Sequence, residues 1–279
     1  MEVVLLNNTI LYIIMLLVGA LTTYIVMPFF RKMLISSNVI RPNYKKDMIP
    51  VSMGLVFLPT IIINSIILVF FAKDIDSLIY TFMYIFGLIS MCLVGILDDI
   101  VGNRDVSGLK GHFKSLFNGT LTTGGFKALF GGFVGIVISV AISKNIVDIC
   151  INTLIIALST NLMNLLDLRP GRAIKVYLLI AFSILFTISG YTKSLVLILL
   201  PSVIVYFEND LKAKAMMGDT GSNVLGISIG ILFAIGYARP IRLCWLVFLV
   251  LIHLITEKYS LTKIIENNKV LNFIDKLGR

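Results

Sequence analysis

Apolar residues run along this chain in long, nearly unbroken blocks separated by short polar connections, not at the alternating or helical spacing of half-buried elements. Nine blocks stand out: 10–30, 50–71, 78–97, 126–142, 147–166, 174–189, 194–207, 222–238 and 242–256. Blocks of this kind predict membrane-crossing helices, and the fourth, sixth, seventh and ninth are short enough to lie tilted or partly buried in a bundle. The expected fold is an all-α polytopic membrane protein of nine to ten spans, forming one domain over residues 1–279. Beyond the last block, residues 257–279 place Leu261, Ile264, Ile265, Leu271, Ile274 and Leu277 near one helical face, with most lysines elsewhere. That pattern predicts a basic amphipathic helix on the membrane surface, with a frayed polar tail as the alternative.

Composition agrees, since 58% of the residues are hydrophobic and 14% charged, which excludes a soluble domain. The first block is too long for a signal-peptide core and has no basic residue before it, so it is read as a retained span. Cys92, Cys150 and Cys244 sit inside apolar blocks without metal-ligand spacing and are read as packed thiols. The net charge of +9 suggests nucleic acid until its distribution is counted. With connections assigned alternately, 19 of the 24 basic residues fall on one face. The positive-inside rule makes that face cytoplasmic, with the N-terminus outside and the C-terminus inside a plasma membrane. Eleven of the fifteen acids share it, so the chemistry is expected there, and nucleic acid is not an expected partner.

Three polar constellations end spans on that face. Asp98 and Asp99 close the third block at a helix C-terminus, where the macrodipole disfavours acids by roughly 0.3 to 1 kcal/mol each, so a bound cation is expected nearby. A glycine-rich basic loop follows, with Gly108, Lys110, His112 and Lys114. Asn161, Asn164 and Asp167 recur every three residues at the end of the fifth block, forming one polar stripe, and Arg169, Arg172 and Lys175 follow as a cluster suited to phosphate. Met217-Gly218-Asp219-Thr220-Gly221-Ser222 opens the eighth block, a helix N-terminus at which an anion site is expected. Carboxylates from three elements, with lysines and a helix N-terminus on one face, are what transfer from a diphosphate requires, with Mg²⁺ taking carboxylate and phosphate oxygens. The two histidines, His112 and His253, have no zinc or acyl-transfer spacing.

In order and topology these motifs resemble the polyprenyl-phosphate sugar-1-phosphate transferases, glycosyltransferase family 4. Further matches are Pro50-x-x-Met53-Gly54 preceded by Lys45 and Lys46, Gly108-Leu109 with Lys114, and Asn209 with Ala213-Lys214, so the resemblance spans about residues 40–226. It implies transfer of a sugar 1-phosphate from a UDP-sugar to undecaprenyl phosphate in cell-envelope synthesis, with Mg²⁺, or Mn²⁺ as the alternative ion, and release of UMP. Asp98, Asp99, Asp219 and Lys114 become the expected catalytic residues, with Asp219 first and Asp98 second as metal ligands. Asp98 and Asp99 would receive the lipid phosphate, and Lys114 with Lys45 would hold phosphates. Asn161, Asn164, Asp167, Arg169, Arg172, Asn209, Lys214, Gly218 and Ser222 complete the expected substrate-binding set. A polyprenyl phosphate, a nucleotide sugar and the membrane are the implied partners, with a homodimer left open.

The chain departs from the family where Asp-Gly-x-Asp-Gly-Leu is usual, reading Asp167-Leu-Arg169-Pro170-Gly171-Arg172 instead. Leu55 replaces the second glycine after Met53, and the histidine-rich loop before the last span is absent, with His253 and Glu257 as partial substitutes or simple packing residues. Two other readings stay open: a lipid-phosphate binding relative without turnover, and a secondary transporter.

Overall fold

The computed structural model describes residues 2–102 and 119–279. Gly108, Lys110, His112 and Lys114 lie outside the described residues.

All nine apolar blocks contain a helix. The first is α1 (Glu2–Ser36), followed by a small antiparallel hairpin, β1 (Ile40–Pro42) and β2 (Met48–Pro50), that sets Arg41 opposite Ile49. A 3₁₀ turn, Met53–Val56, leads into α2 (Phe57–Phe70), so the second block begins as strand and turn rather than helix. Then come α3 (Ile75–Val101), α4 (Thr123–Ile142), α5 (Ile146–Leu166), α6 (Arg172–Thr187), α7 (Tyr191–Leu211), α8 (Gly218–Gly236) and α9 (Arg239–Lys258). Two short helices, α10 (Leu261–Asn267) and α11 (Lys269–Lys276), end the chain. Among the described residues, eight helical segments are long and apolar enough to cross a membrane. The exception to the nine expected is α6, whose 16 residues extend about 24 Å at 1.5 Å per residue, short of a bilayer core of about 30 Å.

The centre of the bundle is α8, buried continuously from Thr220 to Leu232 and packed against α3 and α5. Its sequence permits this because Gly226 and Gly230 let the backbone of α5 approach at Thr160 and Ile156, positions where a Cβ would collide. Small residues at crossings are how helices associate where lipid removes the hydrophobic drive. A second group, α1, α2 and α7, is tied by polar side chains: Asn64 Nδ2 donates to the carbonyls of Met15 at 3.0 Å and Leu197 at 2.8 Å. The outer helices α1 and α9 leave Leu17, Tyr24, Phe29, Val247 and Leu254 exposed, as lipid-facing surfaces require.

The C-terminal segment is helical and amphipathic as expected, but it is broken in two and folded back onto the start of α6. Arg172 is 3% exposed and grips Asp275 with two hydrogen bonds, Nε to Oδ1 at 2.8 Å and an Nη to Oδ2 at 3.0 Å. Arg279 donates to the same carboxylate at 2.8 Å, and Lys175 Nζ donates to the carbonyls of Ile274, Asp275 and Leu277. The expectation that Arg172 and Lys175 form a phosphate-binding cluster is therefore corrected: both are engaged with the C-terminal helices. A positive side chain at the last carbonyls of α11 also complements that helix's dipole.

Burial pushes the Asp275 carboxyl up, but hydrogen bonds and charge from Arg172 and Arg279 outweigh it and leave the group below its ordinary value of 3.8. The lowered folded value means the pairing contributes fully above the unfolded pKa and is lost as pH falls through the folded one. Asp275→Asn is expected to lower the melting temperature near neutrality and to flatten its decline at acid pH, in melting curves recorded across pH in detergent.

Candidate active site

The C-terminal end of α3 meets the N-terminal end of α8, and Asp99 joins them. Its Oδ1 accepts from the Asp219 N–H at 2.9 Å, and its Oδ2 accepts from the Thr220 N–H at 3.1 Å, Thr220 Oγ1 at 2.6 Å and Ser52 Oγ at 2.9 Å. A carboxylate offers about four acceptor sites, and three of these four bonds fall on Oδ2. The anion expected at the N-terminus of α8 is thus supplied by the protein itself. Gly218, at φ +72°, is needed because a Cβ there would collide with the Asp99 carboxylate. Behind it, the segment after β2 is stitched to the approach of α8: Met216 N–H donates to the Pro50 carbonyl at 2.8 Å and Gly54 N–H to the Met217 carbonyl at 3.0 Å. Gly54 and Gly221 face each other backbone to backbone. Through this contact the Pro50-x-x-Met53-Gly54 motif supports the start of α8, which carries Asp219.

Asp98 has a different environment. Its Oδ2 lies 2.7 Å from Lys127 Nζ, and the same ammonium donates to Asp219 Oδ2, so two carboxylates from α3 and α8 converge on one cation from α4. Lys127 is the principal functional residue that sequence reasoning missed. Its signal was faint: a lysine near the N-terminus of an apolar helix, where the dipole disfavours a cation.

Asp98, Asp99 and Asp219 line a cleft of about 790 Å³ whose wall also carries Asn164, Asp167, Asp210 and Gly218, with Arg41, Tyr44 and Arg169 among its other lining residues. Asn164 accepts from Ser222 Oγ and donates to Asn223 Oδ1 at 2.6 Å, which fixes α5 against α8. Asp167 follows the last turn of α5, and burial together with the charges of Asp210, Asp219 and Asp99 pushes its carboxyl well above the usual range. Asp210, from α7, accepts from the Gly171 N–H at 2.7 Å and was not among the expected site residues. Arg169 lies 3.5 Å from Glu266 and its guanidinium carbon 6.0 Å from the centroid of the Tyr44 ring. A second, smaller groove of about 240 Å³ is lined by Val94, Leu97, Val101, Leu121 and Phe126, and Asp98 borders both spaces.

Several expected residues are not brought to the cleft. Asn161 is exposed on α5, Asn209 donates to Met27 Sδ at 3.2 Å, and Lys214 pairs with Glu208 at 2.8 Å on the surface. Lys45 is exposed on the hairpin tip, its ammonium 5.4 Å from the Tyr44 ring centroid. His253 bonds the Leu249 carbonyl of its own helix at 2.7 Å, the packing role.

The model of the family described as glycosyl transferase family 4 matches residues 81–237, more than half of the chain. The chain belongs to glycosyl transferase family 4. No curated protein matches it. Membership indicates transferase activity of the polyprenyl-phosphate sugar-phosphate type in a membrane protein. In this family 4 transferase the matched region contains Asp98, Asp99, Lys127, Asp167 and Asp219, while the hairpin and both C-terminal helices lie outside it.

The two adjacent acids of this transferase are expected to fail differently. Asp99→Asn sets an amide against backbone donors and should lower stability by roughly 1 to 3 kcal/mol. Asp98→Asn disturbs a half-buried ion pair and should cost about 1 kcal/mol or less. Chemical denaturation of both variants checks this, and the reverse order would refute the assignment.

Proposed function

We propose that the chain transfers a sugar 1-phosphate from a UDP-sugar to a polyprenyl phosphate such as undecaprenyl phosphate, releasing UMP, for cell-envelope synthesis. An oxygen of the lipid phosphate attacks the sugar-bearing phosphorus, the bond from that phosphorus to the bridging oxygen breaks, and UMP leaves with that oxygen. The observation that carries the reading is the position of Asp98 on both the polar cleft and the apolar groove. A lipid phosphate whose tail lies along Val94, Leu97 and Phe126 reaches the polar cleft at that carboxylate. The concentration of basic residues in the connections on that side supports placing this end of the bundle at the cytoplasmic face.

The donor set fits Mg²⁺. Asp98 and Asp219 aim hard oxygen ligands at one point, marked by the Lys127 ammonium, and no cluster of three or more metal-ligating side chains exists among the described residues. Mg²⁺ is ordinarily held by one or two carboxylates plus substrate phosphates, not by an all-protein cage. Bound there with the donor, it would neutralise charge on the diphosphate. Lys127 offers a second positive charge to the transferring phosphoryl group, and Arg169 at the cleft wall, beside Asp167, supplies a fork for the diphosphate. Asp99 acts through Asp219 by fixing the first turn of α8.

A second reading, lipid-phosphate binding without turnover, draws on the salt bridges by which Lys127 holds both carboxylates. Family membership weighs against a secondary transporter. Purified protein incubated with undecaprenyl phosphate, Mg²⁺ and a panel of UDP-sugars is expected to release UMP with at least one donor and to stop on chelation. Lipid binding without UMP from any donor would support the second reading instead. Asp219→Asn should reduce kcat by roughly a hundredfold or more with the fold retained, as expected when charge stabilisation is removed, and unchanged turnover would remove Asp219 from the reaction.

A further inference from the structure

The helix α11 is inside out for a helix packed on a protein in water. Asp275 is its buried residue, 7% exposed, whereas Val270, Phe273 and Leu277 beside it are 66, 68 and 57% exposed. A helix at a water interface turns its apolar stripe inward. Here the inward face is ionic and the outward face apolar, flanked by exposed Lys263, Lys269 and Lys276. An apolar face rimmed with lysines on a protein that already spans a membrane is complementary to a bilayer surface carrying anionic headgroups.

The inward face holds the cleft. Arg172 and Arg279 share the Asp275 carboxylate, Arg172 also donates to Thr262 Oγ1 of α10 at 3.0 Å, and Arg279 Nε donates to the Pro170 carbonyl at 2.8 Å. Pro170, Arg169 and Asp167 line the cleft, and Gly171 between them and Arg172 donates its N–H to Asp210. Lys212 Nζ donates to the Gly278 carbonyl at 2.9 Å, tying the end of α7 to the same tail. The residues that line the cleft at 167–170 are thereby fastened to a tail whose other side has no protein partner among the described residues.

We propose that α10 and α11 form a brace seated on an anionic lipid surface, which positions the 167–171 wall of the cleft through the Arg172–Asp275–Arg279 cluster. Arg172 and Asp275 are positioning residues. The brace lies outside the matched family region and does not depend on the identity of the donor.

The test uses the full chain in nanodiscs of phosphatidylcholine, with and without phosphatidylglycerol. With Trp245→Phe removing the native indole, Phe273→Trp reports on the outer face. Its emission is expected to shift to the blue and to be quenched by brominated lipid, more strongly when phosphatidylglycerol is present. Emission of a water-exposed indole without quenching, or a blue shift that depends on protein concentration instead of lipid, would overturn the lipid seat. Hydrogen exchange of a peptide covering residues 167–172 reports on the inner face. Asp275→Asn should speed it by roughly tenfold or more, because an unpaired buried guanidinium favours local opening. Asp275→Glu or the exchange Arg172→Asp with Asp275→Arg should restore protection. Arg279→Ala, a milder lesion, should give a smaller increase if Asp275→Asn does not fold. Unchanged exchange in these variants would overturn the brace. Neither readout requires turnover, so a failed brace leaves the transferase reading intact, and a protein without UMP release still tests the brace.

Discussion

The structure depends on one carboxylate placed between two helix ends. Asp99 sits at the negative end of α3, a position that costs a fraction of a kcal/mol to about 1 kcal/mol, yet it faces the positive end of α8 and accepts three hydrogen bonds there, with a fourth from Ser52. The two helices thus share a junction in which the dipole penalty of one is offset by the orphan N–H groups of the other. Other features follow from that junction. Gly218 leaves room for the carboxylate, Ser52 reaches it from the segment after the hairpin, and Gly54 meets Gly221 without side chains between them. Asp219, one residue into α8, is then held where Lys127 and Asp98 can meet it.

Neighbours in a helix point about 100° apart, and at this helix end that angle separates two kinds of work. Asp99 turns toward protein donors and accepts four hydrogen bonds from them. Asp98 turns toward Lys127 and borders both openings. The cleft is lined by Asp98, Asp99, Asp167, Asp210 and Asp219 with Arg41 and Arg169, and Lys127 pairs with two of the acids, so acids outnumber bases five to three. Such a site favours cations and protonated acids, which is why the Asp167 carboxyl titrates high.

The spans were legible because a bilayer demands long apolar blocks, and the three motif regions were legible because acids at span ends are costly unless used. The shortness of α6 was legible too, in the length of the sixth block, but not its attachment to the C-terminal helices. Lys127 escaped because its partners are 29 and 92 positions away and its own segment reads as apolar. Asn161 was misplaced by extending the stripe of Asn164 and Asp167 one turn too far, to a turn that faces outward. Arg172 carried the same charge signal as a phosphate ligand, and only the fold shows a carboxylate 103 residues later closing over it.

That last pairing also accounts for the chain's departure from its family's pattern. Where Asp-Gly-x-Asp-Gly-Leu is usual, Pro170 stands in place of the second acid and Arg172 in place of the leucine. A buried guanidinium without a partner is costly, so Arg172 is tolerable only together with Asp275, and the change in the loop and the folded-back tail form one feature. Beside Pro170, Asp210 of α7 lines the cleft and accepts from Gly171. A loop that the family pattern makes of glycines and acids becomes here a segment held from both sides, by Asp210 within the bundle and by the C-terminal helices outside it.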